Sequence, residues 1–507
     1  MAEPHYLTTS RGQMSVWRAG RGRPVIVLPS LVDHAGDAAD RVAAAGSDCC
    51  VTALEWPGIG GSAGLVPKGL SDLTAMIAEA RAQLSLTDAP IIAFDIAAGL
   101  DGPMAVVGLQ DARGWLARDL SPPDTRMRED GTHLTALWAF MRNARLLKAD
   151  DPVHAQSQGG PLPTPEQLDR AVVAASVRPG AYSTLWTLLS QGLAGREPPR
   201  VAVASIAEAL AASPGPKVCP PIPLAAPTGD MWCDYVQTPA GRLHLRRSGH
   251  DPRPLMVLQS APGSTEPLGD VIRGLARVRS VVAPDYPGNG DSSKPSGRID
   301  IPRLGAMMLE AADALGLPHI DLWGTHTGAL VALEMALQAP QRIGRLILEA
   351  PPILPADFSA DILAHYLPKL VPDRWGLHLQ QAWNMRRDMF IFWPWYRDSR
   401  DAIRPLGLPD LKMLHSWTIG LLKSGATYDL SYRAAFEYPT AARLAKTTRP
   451  TLITAGPTDM LVEALQRTAE LGNPMIEAKP TPATIWYPNQ PDAARAATMK
   501  IYCDFLR

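Results

Sequence analysis

The sequence predicts an α/β protein built from two tandem copies of one unit, and three observations carry that prediction. Short apolar runs, Pro24-Val25-Ile26-Val27-Leu28 and Pro254-Leu255-Met256-Val257-Leu258, lie 230 positions apart. Each follows turn-rich sequence and leads into a small-residue turn, as a buried strand does. The same offset relates Glu55-Trp56-Pro57-Gly58-Ile59-Gly60-Gly61-Ser62 to Asp285-Tyr286-Pro287-Gly288-Asn289-Gly290-Asp291-Ser292, so PGxGxS follows a second apolar strand in both halves. Further along, Gly131-Thr132-His133-Leu134 with Trp138 and Arg142 returns as Gly376-Leu377-His378-Leu379 with Trp383 and Arg387, at an offset that insertions have widened to 245.

Size supports two cores, because 507 residues exceed what one ordinary hydrophobic interior serves. A formal net charge of -1 with both signs interspersed leaves no footprint for nucleic acid or an anionic membrane surface. The partner predicted is a small-molecule substrate or a protein, with homo-oligomerisation left open. The start MAEPHYLTTSRG lacks the basic and apolar regions of a signal peptide, and no stretch of about eighteen apolar residues could span a bilayer. The chain therefore reads as soluble. Its five cysteines, Cys49, Cys50, Cys219, Cys233 and Cys503, show no metal-ligand spacing, which predicts a reducing cytoplasm and neither metal nor cofactor.

Along the chain, residues 1–210 form the first domain. Residues 211–230 hold six prolines and predict an extended linker. The second domain runs over 231–507. After Gln191 the first copy offers only Pro199 to Ala211, against two strand and helix units from Pro450 to Arg507 in the second, so it is degenerate and truncated. In the second copy, strand Leu255–Leu258 runs into Gln259-Ser260-Ala261-Pro262-Gly263-Ser264. Strand Ser280–Ala283 leads to the PGxGxS loop, and Ile320-Asp321-Leu322-Trp323 leads through Gly324-Thr325-His326-Thr327-Gly328 into a helix over Ala329–Ala339. A strand, a GxxxG turn and a helix together make the tight corner that exposes a central side chain. Here that side chain is His326.

These motifs resemble the α/β-hydrolase family. Gln259 to Ser264 is similar to the turn that supplies one oxyanion-hole amide, Asp285 to Ser292 to its D-x-P-G-x-G-x-S loop, and the Gly324 to Gly328 turn to its nucleophile elbow. Pro450 to Ala455 with Gly456-Pro457-Thr458-Asp459 resembles the strand and turn carrying the catalytic acid. Residues 353–440 hold Trp375, Trp383, Phe390, Phe392, Trp393, Trp395, Tyr396 and Trp417. They resemble the helical cap of the epoxide hydrolase, haloalkane dehalogenase and carbon-carbon-bond hydrolase group, the alternative being ordinary core packing. Two tandem α/β-hydrolase-like domains with helical caps are thus implied, strongly over residues 236–507 and weakly over 7–210.

Two departures from the family pattern shape the functional reading. The elbow carries His326 in place of serine, and no histidine follows His415, so the ordinary base is absent. The resemblance places Asp459 opposite His326, and the pair reads as a dyad in which the carboxylate orients one ring nitrogen while the other acts as general base. Direct nucleophilic attack by His326 is the alternative. Glu349, after the following strand, is a second candidate acid. The amides of Ala261 and Thr327 match the family's oxyanion donors. Trp383, Trp393 and His378 are candidate substrate contacts, although the His-to-Trp spacing in the repeated motif also suits a residue that anchors cap to core.

In the first copy Asp95 or Ile96 stands at the elbow, and neither is read as attacking a carbonyl. His34 or His154 is read as a residue that copy could lend. The function predicted is an enzyme acting on a small, largely apolar carbonyl, ester or carbon-carbon substrate. A lyase or decarboxylase on the same fold and a non-catalytic binding or scaffold protein are the alternatives.

Overall fold

The computed structural model describes residues 1–146, 162–194, 200–211 and 218–507. The chain divides into two compact units, one comprising Met1–Gly229 with Pro372–Gln380 and the other Asp230–Val371 with Gln381–Arg507. His154 and residues 212–217 of the expected linker lie outside the described residues.

The first unit opens with an antiparallel hairpin, β1 (Glu3–Thr9) and β2 (Gly12–Gly20). It continues through β3 (Arg23–Leu28), β4 (Cys49–Leu54), β5 (Ile91–Phe94), β6 (Met104–Val107) and β7 (Arg200–Val203). Their order in the sheet is β1-β2-β4-β3-β5-β6-β7, parallel from β4 to β7. Every residue of β4, and all but the first of β3, is buried. That is why these strands read as unbroken apolar runs: a parallel sheet with both faces covered leaves no side that must be polar. Val25, Val27, Val42, Val51 and Ile92 form its core. Helices Thr132–Leu146, Pro165–Ser176 and Ala181–Ala194 intervene between β6 and β7. The second of these starts at a capping box between Thr164 and Gln167.

The second unit repeats this plan with β8 (Trp232–Thr238), β9 (Gly241–Ser248), β10 (Pro254–Leu258), β11 (Ser280–Pro284), β12 (Ile320–Thr325), β13 (Ile343–Glu349), β14 (Thr451–Ala455) and β15 (Ile476–Pro480). Read from the hairpin, its order is β8-β9-β11-β10-β12-β13-β14-β15, which matches the first sheet strand for strand and adds one. The first copy is truncated by that last strand and its helix. Between β13 and β14 in the chain stands the larger set of cap helices, Ala356–His365, Leu377–Ile391, whose residues up to Gln380 belong to the first unit, Leu411–Ser424, Asp429–Phe436 and Thr440–Leu444. Two tandem α/β-hydrolase-like domains with helical caps, the first degenerate, are therefore the architecture.

The repeated PGxGxS motif has a physical cause visible in both units. Ser62 Oγ donates to Glu55 O and accepts from Ser15 N; Ser292 Oγ donates to Asp285 O and accepts from His244 N. Gly60 and Gly290 adopt φ of 49° and 50°, and a Cβ at either would lie 2.3 Å from the acid that opens the motif. Only glycine permits the acid to fold under its own loop. The described part of the proline-rich segment lies along the first unit, where Ala226 N donates to Thr8 Oγ1 and Arg18 Nη1 to Pro220 O. No helix among the described residues is long and apolar enough to cross a membrane.

Candidate active site

The site grows from the end of β12. His326 caps the helix Thr327–Gln338 with φ 49° and ψ -113°, a region that costs a non-glycine residue about 1–3 kcal/mol. Flanking packing enforces the turn. A Cβ on Gly324 would meet Gly328 O at 2.2 Å, and one on Gly328 would meet Leu258 O at 2.0 Å, so both positions exclude any side chain. His326 N donates to Glu349 O at 2.9 Å, tying the turn to the end of β13. The imidazole is thus thrust outward from a rigid corner, and Thr327, first residue of the helix, presents an amide with no intrahelical acceptor.

Opposite stands Asp459, delivered by the turn after β14. Nε2 of His326 lies 3.2 Å from Asp459 Oδ1 and 3.1 Å from Oδ2, with the carboxylate fully buried and the ring 9% exposed. Leu461 N and Thr484 Oγ1 also donate to that carboxylate, at 2.9 and 3.2 Å. Burial alone would raise the Asp459 pKa, but the charge and hydrogen bond of His326, with the Leu461 amide and Arg404, outweigh it and hold it below the ordinary value. An ionised Asp459 accepts from Nε2–H, which leaves the Nδ1 lone pair for chemistry; Nδ1 makes no hydrogen bond among the described residues.

Glu349 is not the partner of the ring. Its carboxylate accepts from Trp486 Nε1 and Tyr502 OH, both at 2.5 Å, and burial raises its pKa against those two bonds. The end of β13 brings its backbone to His326 while its side chain turns toward the last helix.

The expected aromatic contacts are also redistributed. Trp486 and Tyr487 stand edge-on to the imidazole at centroid distances of 5.1 and 6.3 Å, and Trp417 packs on Trp486 at 5.5 Å. Trp383 packs against His415, and Trp393 against Phe358 and Tyr366. Trp486 and Tyr487 lie in the segment beyond His415 that carries no histidine, and aromatic rings stand there beside the imidazole.

His378 likewise departs from the expectation of a substrate contact. It belongs to the first unit, where Nε2 meets Asp169 Oδ1 at 2.9 Å, Nδ1 faces Asp373 and the ring stands edge-on to Trp138. With both nitrogens engaged, the ring is a structural clasp. In the first copy the elbow position is Asp95, with φ 40° directly after β5. Its carboxylate lies 3.3 Å from Arg145, and burial, opposed by that arginine, lifts its pKa to about 6. His34 caps the helix Ala35–Ala45 through Gly36 N and packs on Trp17 within the same unit.

Ala261 is buried in the turn after β10, and Arg386 Nη2 donates to the adjacent Pro262 O. Two buried arginines, Arg386 and Arg404, were missed by sequence reasoning. Arg386 Cζ lies 5.0 Å over the Trp417 ring, and Arg404 Cζ lies 5.0 Å over Tyr487.

Residues 253–474 match the family model of the alpha/beta hydrolase fold. A 2-hydroxymuconate semialdehyde hydrolase of Pseudomonas putida is 32% identical over 109 residues, covering 21% of this chain and 39% of that protein. Haloalkane dehalogenase 2 of Mycobacterium bovis is 29% identical over 141 residues, covering 28% and 48%. The chain thus spans under half the length of these two relatives. The crystal structure of epoxide hydrolase A from Mycobacterium thermoresistibile superposes with a TM-score of 0.43 at 21% identity, over 55% of this chain and 98% of that one.

Proposed function

We propose that the second unit is an enzyme in which His326 and Asp459 act as a general-base dyad on a small carbonyl or ester substrate. The single observation that carries this is the Nε2 to Asp459 contact at 3.1 Å made from a strained elbow. Strain of that kind persists only where the surroundings over-determine it, and it clusters at functional positions. Similarity to a hydrolase of 2-hydroxymuconate semialdehyde and to a haloalkane dehalogenase supports a small-molecule substrate.

In this reading Nδ1 removes a proton from water, and the resulting hydroxide oxygen bonds to the carbonyl carbon. The carbonyl electron pair moves to oxygen, which the amides of Thr327 and Ala261 receive. Asp459 stabilises the imidazolium. Collapse expels the leaving group, and Nδ1–H returns the proton to it. A substrate panel run in H₂¹⁸O tests this: one product should carry the label, and His326→Ala should abolish turnover. Turnover without label would point to a lyase; turnover untouched by His326→Ala would defeat the dyad.

A second reading, a binding module without turnover, draws on the replacement of serine at the elbow and the absence of any histidine after His415. It predicts a saturable ligand with no chemistry at any pH.

A further inference from the structure

Around His326 the second unit keeps a set of buried donors only partly met by acceptors among the described residues. Arg386 and Arg404 are 4% and 8% exposed, and neither makes an ion pair with a carboxylate among the described residues. Arg386 spends Nη2 on Pro262 O and Nη1 on the Met389 sulfur, leaving Nε unmatched. Arg404 donates from Nη1 to Met389 O at 2.6 Å and faces the Tyr487 hydroxyl, with Nε and Nη2 making no hydrogen bond of good geometry among the described residues. Trp417 Nε1 is also buried and unmatched among the described residues, and the buried Tyr487 hydroxyl has Arg404 beside it. All of these groups connect to the imidazole by ring contacts: Arg404 through Tyr487, and Arg386 through Trp417 and then Trp486.

A guanidinium stays charged at any physiological pH, and a buried charge without a partner costs several kcal/mol. Stacking on the Trp417 and Tyr487 faces offsets part of that cost but does not replace an anion. The nearby acids are committed elsewhere. Asp459 is held by His326, Leu461 and Thr484, Glu349 by Trp486 and Tyr502, and Asp388 by Arg387. Tyr366, Tyr428 and Tyr432, which also face Arg386, bring phenols in place of carboxylates. Arg404 lies near enough to Asp459 to help hold that carboxyl ionised, but no described carboxylate makes an ion pair with either guanidinium, and what the cluster lacks is a negative acceptor in direct contact, placed beside the oxyanion turn and within reach of the dyad.

We infer that the ligand of this site carries a carboxylate, which Arg386 and Arg404 bind with Trp417 and Tyr487 while its reacting end faces His326. The inference rests on the location of the proposed active site but not on its chemistry. A carboxylate oxygen accepts from the planar guanidinium in a geometry that a neutral amide of equal shape offers only weakly.

The test is calorimetric titration of the full-length protein with two matched pairs, acetate against acetamide and benzoate against benzamide. In at least one pair the carboxylate should bind ten-fold or more tighter than its amide. Arg404→Met and Arg386→Met should each remove most of that preference, while Arg404→Lys, which keeps the charge without the fork, should retain part of it. Equal binding within both pairs, or a preference that survives Arg404→Met, would overturn the inference; the wild-type pair comparison holds even where a variant fails to fold. Binding also separates this claim from the catalytic one. A carboxylate preference without turnover would leave the anion site standing and remove the enzyme. Turnover of neutral esters without such a preference would do the reverse.

Discussion

His326 and Asp459, 133 positions apart, meet through one imidazole nitrogen and both carboxylate oxygens at 3.2 and 3.1 Å. The bond joins the corner after β12 to the turn after β14, across the C-terminal edge of the sheet where α/β proteins place their ligands. If the imidazole is the base, Asp459→Asn should lower kcat by about 10²-fold or more with a small change in KM, because the amide no longer stabilises the imidazolium. A kcat unchanged by Asp459→Asn would mean that the carboxylate is structural.

The same pair bears on acid stability. The Asp459 pKa lies below its unfolded value, so its contribution is present above the ordinary carboxylate range and fades as pH falls through the folded value. Stability measured by denaturant titration should therefore drop on acidification below about pH 4. His326→Gln, which removes the ring that holds this carboxyl down, should flatten that drop, and an unaltered acid profile in His326→Gln would refute the coupling.

His244 and Asp285 predict a loss on the alkaline side. Burial opposes the His244 charge, but hydrogen bonds to Asp285 and Cys233 prevail and lift the pKa to about 9. A raised folded pKa gives stability that is complete below the unfolded value near 6.5 and is lost as pH rises through about 9. The loss should reach about 3 kcal/mol in the second unit. Unfolding curves at pH 6 and 10 measure it, and His244→Gln should abolish the difference.

Gly328→Ala should destabilise the second unit by about 3 kcal/mol or more, because the added Cβ falls 2.0 Å from Leu258 O and backbone must move. Gly64→Ala, where no atom stands within 4 Å, is the control and should lie within about 0.5 kcal/mol of wild type. Calorimetric melting of the two variants settles the comparison.

His378→Gln should weaken the first unit by roughly 1.5–3 kcal/mol, the worth of a buried bond to a charged acceptor, through loss of the contact with Asp169. It should leave kcat within about two-fold of wild type. A fall in kcat beyond ten-fold with unchanged melting would return His378 to the reacting site.

Much of the fold was legible because its rules are local. Buried parallel strands such as Val25–Leu28 and Leu255–Leu258 must be apolar throughout, and the PGxGxS loop needs its glycines to fold over Glu55 or Asp285. The elbow was legible for the same reason, since Gly324 and Gly328 are required by contacts within a few residues or with one neighbouring strand. Misplacements arose where a side chain's direction depends on distant packing. Glu349 ends the expected strand yet points to Trp486 and Tyr502, and His378 follows a cap motif yet closes on Asp169, 209 positions away.

By itself, then, the sequence determined the repeated α/β plan, the missing final strand of the first copy and a histidine at the second elbow, because spacing, glycine and apolar runs act over short range. Tertiary structure alone decided which acid meets that histidine and which rings surround it. It also brought Arg386 and Arg404, 60 and 78 positions beyond His326, to aromatic rings linked to the imidazole, with no ion-paired acid among the described residues. Long-range partners are set by how cap and sheet pack, and no local pattern in the chain encodes the direction in which a buried arginine points.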